Sequence, residues 1–195
     1  MPNQYHNFNN QNLESHILFY GEQACQPDEY FEGNNLRKND VLYYIMSGKG
    51  TFTSSGHHSV KLKEGDLFYI PRSQTCYFQA DHDEPWQYFW IGLAGPGTNQ
   101  MIKASNLPNK NFLRQIQNTE FFTTLHKIYG ILNKKTSLLN NIQIASLTYQ
   151  LFYHLVNEFP DHPPVRKTPK VDQYQIAIDY LNKNYTDPTC NIVEL

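Results

Sequence analysis

A chain of 195 residues can bury one sizeable core and carry a small second unit without disulfide staples or a repeat array. Its 16 Lys+Arg against 18 Asp+Glu give a formal net charge of -2, and only 17% of residues are charged, so the whole chain lacks the basic footprint of a nucleic-acid binder. With 39% hydrophobic residues and no apolar run near the roughly 20 that a spanning helix needs, it reads as a soluble globular chain. Cys25, Cys76 and Cys190 are far apart, odd in number and free of C-x-x-C spacing, which argues against a disulfide framework and a cysteine zinc site and fits a reducing cytosol. The polar stretch from Met1 to Asn12 has no basic-then-apolar secretory pattern. The unusual quantity is 14% aromatic residues, with 14 Tyr and 12 Phe.

From Ile17 to Leu93 short apolar runs alternate with turn signals, the grammar of an all-β sandwich or barrel. The expected strands are Ile17 to Tyr20, Val41 to Ser47, Gly50 to Thr53, Ser59 to Leu62, Asp66 to Ile70, Cys76 to Ala80 and Tyr88 to Leu93, connected as a meander that closes on itself. Ser47-Gly48-Lys49-Gly50, Ser54-Ser55-Gly56, Lys63-Glu64-Gly65-Asp66 and Pro71-Arg72-Ser73 supply the tight turns. After Gly95-Pro96-Gly97 the apolar period becomes helical. Phe121, Phe122, Leu125, Ile128, Tyr129 and Leu132 predict one amphipathic helix; Ile142, Ala145, Leu147, Thr148, Leu151, Phe152, Leu155 and Val156 predict a longer one. The apolar face of that second helix is broad enough to touch both the β-domain and a further surface, either as a dimer element or by packing wholly within the chain. Four prolines between Phe159 and Lys170 break any helix and predict an extended linker. Helical spacing then resumes at Ile176, Ala177, Tyr180 and Leu181, and Asn191 to Leu195 reads as the start of another helix.

The segments Leu42 to Gly50, Leu62 to Pro71, Cys76 to Phe78 and Pro85 to Ile91, in that order and spacing, resemble the cupin-type ligand-binding domain of AraC-family transcription regulators. Gln175 to Pro188 followed by Asn191 to Leu195 is similar to the opening of that family's double helix-turn-helix DNA-binding domain. Within the family the pattern resembles regulators of raffinose, melibiose and multiple-sugar operons of Gram-positive bacteria. The resemblance implies an α+β chain with an N-terminal arm (1-15), a jelly-roll cupin-like barrel (16-97), a helical dimerisation segment (98-159), a linker (160-171) and an incomplete DNA-binding domain (172-195). It also implies a small-molecule effector, a sugar or oligosaccharide, a homodimer, DNA as partner through residues beyond Leu195, a cytoplasmic location and no membrane association. The arm is expected to fold over the pocket.

Alternate side chains of a strand share a face, so Trp86, Tyr88 and Trp90 project one way and Gln87, Phe89 and Ile91 the other. Rings in line suit a sugar, whose C–H patches stack on aromatic faces while phenol and indole donors reach its hydroxyls; a packed barrel core is the alternative for the same three rings. By resemblance, positions matching Tyr77, Tyr88 and Trp90 contact the effector sugar, with Trp90 stacking on its ring. Ser47 stands where the family places a sugar-binding arginine and leaves room for a larger ligand, and Arg37 is a candidate replacement guanidinium or an ordinary surface arginine. Enzymatic cupins hold a metal through H-x-H, a carboxylate and a further histidine; here no H-x-H leads into the Val41 strand and Cys76 occupies the second-motif histidine position. His57, His58 and His82 are expected to face solvent, and Asp66 to brace its own turn. No G-x-S-x-G elbow, phosphate loop or dinucleotide fingerprint is present. The expectation is a sugar-responsive regulator with no catalytic residue, metal or cofactor, against a small cupin isomerase or dioxygenase as the alternative.

Overall fold

The structure, a computed structural model, describes residues 13-34, 39-135 and 137-161. The expectations for most of the arm, for the linker and for the unit after it lie outside these residues, as does Arg37.

Among these residues nine strands form two antiparallel sheets. They are β1 (His16–Ala24), β2 (Tyr30–Asn34), β3 (Asp40–Ser47), β4 (Lys49–Ser54), β5 (Val60–Lys63), β6 (Leu67–Ile70), β7 (Thr75–Ala80), β8 (Gln87–Ala94) and β9 (Phe112–Leu113). The five-stranded sheet runs β1-β8-β3-β6-β9 and the four-stranded sheet β2-β7-β4-β5. Only β4 pairs with its neighbour in the chain, β5; every other step along the chain crosses to the opposite sheet or skips a strand. The connectivity is thus a jelly roll and not the expected meander, because alternation and turn residues report that a strand exists, not which strand it pairs with. Gly48 is needed at the β3–β4 crossing: its φ is +71° and a Cβ there would lie 2.4 Å from the Pro85 carbonyl oxygen.

Each expected strand is present within a few residues, and β2 and β9 are additional. Between β8 and the long helices run two short helices, α1 (Thr98–Lys103) and α2 (Leu107–Lys110). Asp66 does more than brace its own turn. Fully buried, it accepts from the Lys63 amide (3.1 Å), from Arg114 Nη1 (3.0 Å) and from the Gln115 amide (2.9 Å), so it ties the β9 segment to the barrel.

The two long helices form as expected, α3 (Glu120–Leu132) and α4 (Leu138–Glu158). Thr119 caps α3 by accepting from the Phe122 amide, and Ser137 caps α4 by accepting from the Asn140 amide. Glu158 at the end of α4 accepts from the Glu120 and Phe121 amides, both at 2.9 Å, so the free N–H groups and positive dipole end of α3 meet a carboxylate. This contact closes the hairpin at the end opposite its loop.

The period of two divides the larger sheet between two cores. Its outer face, Leu42, Tyr44, Leu67, Tyr69, Phe89, Ile91 and Leu93, packs with Phe121, Leu125 and Ile128 of α3 and Leu147, Leu151, Phe152 and Leu155 of α4. Its inner face, Tyr43, Ile45, Phe68, Ile70, Tyr88 and Trp90, meets Phe52, Leu62, Cys76, Phe78 and Ala80 of the smaller sheet and the strand-flanking Trp86. The candidate site lies in this second core.

Candidate functional site

Trp86, Tyr88 and Trp90 project together into the space between the sheets, and Phe89 and Ile91 project away from it onto the helices. Burial grades the three rings. Trp86 is 0% exposed, stacks on Phe68 at 5.7 Å and packs against Gly50, so it fills one end of the barrel. Tyr88, at 3% exposure, stands edge-on to Trp86, Phe68, Phe78 and Tyr43. Trp90 is only partly buried. Its ring stacks on Tyr43 at 5.8 Å and lies over Gly21 of β1, where a Cβ would come within 2.2 Å of Trp90 Cζ2. Glycine is therefore required opposite this indole.

On the facing sheet, Phe31 of β2 pairs with Phe78 of β7 and stacks on it at 5.1 Å, so both rings point inward. Phe31 nonetheless keeps 45% exposure. An inward ring that is half in water marks the open end of a cup whose other end is filled. The polar groups beside this cup come from β1 and the turn after it. Gln23 donates from Nε2 to Glu29 at 2.5 Å, and its Oε1 lies 3.4 Å from the Tyr88 hydroxyl. Burial, together with a hydrogen bond to Cys25, pushes the Tyr88 phenol upward, so it stays a neutral donor. Burial also raises the Cys25 thiol and pushes the Cys76 thiol up to about 11, which leaves both in the barrel as unreactive apolar groups.

The remaining residues singled out in the sequence are not brought to these rings. Tyr77 pairs with Glu32 on the outer face of the smaller sheet, because Cys76, Phe78 and Ala80 take the inward positions of β7. It stacks on Tyr30 at 6.0 Å, its hydroxyl donates to Gln79 at 2.9 Å, and it borders a surface cleft of about 520 Å³ with Glu32, Thr53 and His57. Ser47 is exposed opposite Gln87, at the filled end, three residues of β8 away from Trp90, or about 10 Å. The rings that sequence reasoning missed are Tyr43 and Phe31. Tyr43 was legible as the inward residue of β3, while Phe31 lies in a strand that the sequence did not announce.

His57 and His58 are exposed, and exposed His82 bonds to Asp28 at 2.6 Å. Among the described residues no three His, Cys, Asp or Glu side chains converge as a metal-binding group, and no helix is long and apolar enough to cross a membrane.

The two-sheet barrel with an aromatic cup, backed by an α-helical hairpin, defines a ligand-binding domain. Residues 16-152 match the family model described as the AraC-like ligand binding domain, and the chain belongs to that family. The whole chain aligns at 39% identity with the raffinose operon transcriptional regulatory protein of Pediococcus pentosaceus, of which it spans 70%. It is 29% identical over 158 residues to the Msm operon regulatory protein of Streptococcus mutans, and 23% identical over 174 residues to the lactose operon transcription activator of Staphylococcus xylosus. It spans 56% and 62% of those two relatives. Among solved structures, a cupin protein from Bacteroides fragilis aligns at 23% identity over 40% of this chain and 64% of that one, with a TM-score of 0.33.

Proposed function

We propose that this chain is the effector-binding part of a transcription regulator of carbohydrate-utilisation genes, and that a neutral sugar or oligosaccharide is the effector. The observation that carries the reading is the partly exposed inner-face trio Trp90, Tyr43 and Phe31 at the open end of the barrel, next to Tyr88 and Gln23 as hydroxyl partners. Aromatic faces with neutral hydrogen-bonding groups beside them are the chemistry that recognises a pyranose. The names of the relatives, operon regulators for raffinose and lactose, point the same way. Tyr88 and Trp90 stay in the proposed contact set and Tyr43 and Phe31 join it. Tyr77 and Ser47 leave it because of where they face. Arg37 stays in the proposed set on sequence grounds, as the one cation assigned to this site.

The regulator reading further proposes a cytoplasmic homodimer that binds DNA through a separate domain and has no catalytic role. Support for the dimer comes from α4, which buries Leu147, Leu151, Phe152 and Leu155 on one face yet carries Leu138 at 74%, Leu139 at 78%, Ile142, Tyr149 and Tyr153 exposed on another. Calorimetric titration with raffinose, melibiose, lactose, glucose and arabinose tests the effector reading. At least one galactoside is expected to bind, with affinity falling tenfold or more in Trp90→Ala. Binding of every member of that panel unchanged by Trp90→Ala, or no binding at all, would overturn it.

A further inference from the structure

The residues of the cup are joined, one position along the chain, to residues that hold the helix hairpin. On β1 the Tyr20 hydroxyl donates to the Leu132 carbonyl at the end of α3, at 2.8 Å. Gly21 lies beneath Trp90. The Glu22 carboxylate accepts from the Tyr129 hydroxyl of α3. Gln23 faces the Tyr88 hydroxyl. Four successive residues therefore contact helix, cup, helix and cup, as the period of two requires. β8 repeats the alternation: Tyr88 and Trp90 point into the cup, and Phe89 between them stacks on Tyr129 at 4.5 Å and 25°. Tyr129 is thus held from both strands at once, by a ring from β8 and a carboxylate from β1.

Among the described residues β1 is an edge strand, bonded on one side only, to β8. Contact between the Trp90 ring and the Gly21 backbone leaves no slack, since even a methyl group would overlap the indole. An indole pressed toward β1 by a guest must therefore displace this edge strand, and residues 20 and 22 of the same strand are bonded to α3. A ligand shifts such an equilibrium only through contacts that differ between the two arrangements; here those contacts are the two β1–α3 hydrogen bonds and the Phe89–Tyr129 stack.

We propose that Tyr129 is the positioning residue through which occupancy of the cup reaches the α3–α4 hairpin, and with it the exposed apolar stripe of α4. The proposal rests on the effector reading for its physiological meaning, but its mechanical part can be tested without any ligand. In a urea-unfolding double-mutant cycle of Trp90→Leu and Tyr129→Phe, independent sites would multiply their effects on the unfolding constant to within about twofold. The relay predicts that the double variant departs from that product by threefold or more, and a product within twofold overturns it. In the second experiment, hydrogen exchange of residues 120-132 and 138-158 is followed with and without raffinose. Exchange in the native chain is expected to slow at least threefold. In Glu22→Gln/Tyr129→Phe the raffinose affinity should stay within threefold while the helix response disappears. An unchanged helix response in that variant refutes the relay. If another sugar of the panel binds in place of raffinose, that sugar is used in the exchange experiment; if none binds, the effector reading fails and the cycle alone decides the relay.

Discussion

The two faces of the five-stranded sheet differ in chemistry and in completeness. The outer face carries mostly aliphatic side chains against α3 and α4, and Leu42, Phe89, Ile91 and Leu93 there are all buried. The inner face is aromatic and finished at one end only, with Trp86 sealed and Trp90 and Tyr43, together with Phe31 of the facing sheet, left partly in water. A fold optimised for burial alone would not leave three inward rings wet. On the proposed reading the outer face holds the domain together, and the open part of the inner face takes the guest.

Substitutions on the two faces should separate these roles. Leu151→Ala removes a fully packed side chain between α4 and the sheet and is expected to cost about 2–5 kcal/mol in urea unfolding, with sugar affinity in the surviving folded fraction unchanged. Trp90→Ala, on the open side, is expected to cost less stability than Leu151→Ala while abolishing most of the binding; the reverse ranking would erase the distinction between the faces. Asp40→Ala should fall between. Its carboxylate accepts from the buried Tyr69 hydroxyl at 2.7 Å and from Arg72 Nη2 at 2.7 Å, and removing it strands a buried phenol, at about 1–3 kcal/mol.

The smallest effect concerns the barrel thiols. Burial raises Cys25 and pushes Cys76 up to about 11, so the folded chain keeps protons that the unfolded chain has lost once pH exceeds the ordinary thiol range. The resulting stability is fully present below about pH 8.5 and declines as pH rises toward 11. Peptide-resolved alkylation should find both thiols inert in the native chain at pH 8 and reactive once it is unfolded. Rapid native alkylation of Cys76 would mean that the barrel interior around β7 is open to solvent after all.

Much of this division is legible in the sequence. Period-two alternation and glycine turns marked seven of the strands, and the helical period marked α3 and α4. The shared face of Trp86, Tyr88 and Trp90 followed from parity alone. Pairing did not, because a jelly roll is a statement about distant strands. Tyr77 illustrates the limit at single-residue scale: β7 carries rings at both Tyr77 and Phe78, so composition cannot say which points inward, and a slip of one residue exchanges the faces. Phe31 was hidden for another reason. Its strand sits among Pro27, Asp28, Gly33 and Asn34, which read as turn. Ser47 rested on the resemblance and not on local chemistry, and it lies at the filled end.

The most direct test of the cup uses the chain's two tryptophans, which sit at its opposite ends. In Trp86→Phe the indole of Trp90 is the only one left, and its fluorescence can be quenched with acrylamide while raffinose is titrated. The account predicts that Trp90 is quenched readily in the free chain and becomes shielded along the same saturation curve as binding. Raffinose that binds while leaving the quenching of Trp90 unaltered would place the sugar elsewhere and contradict it.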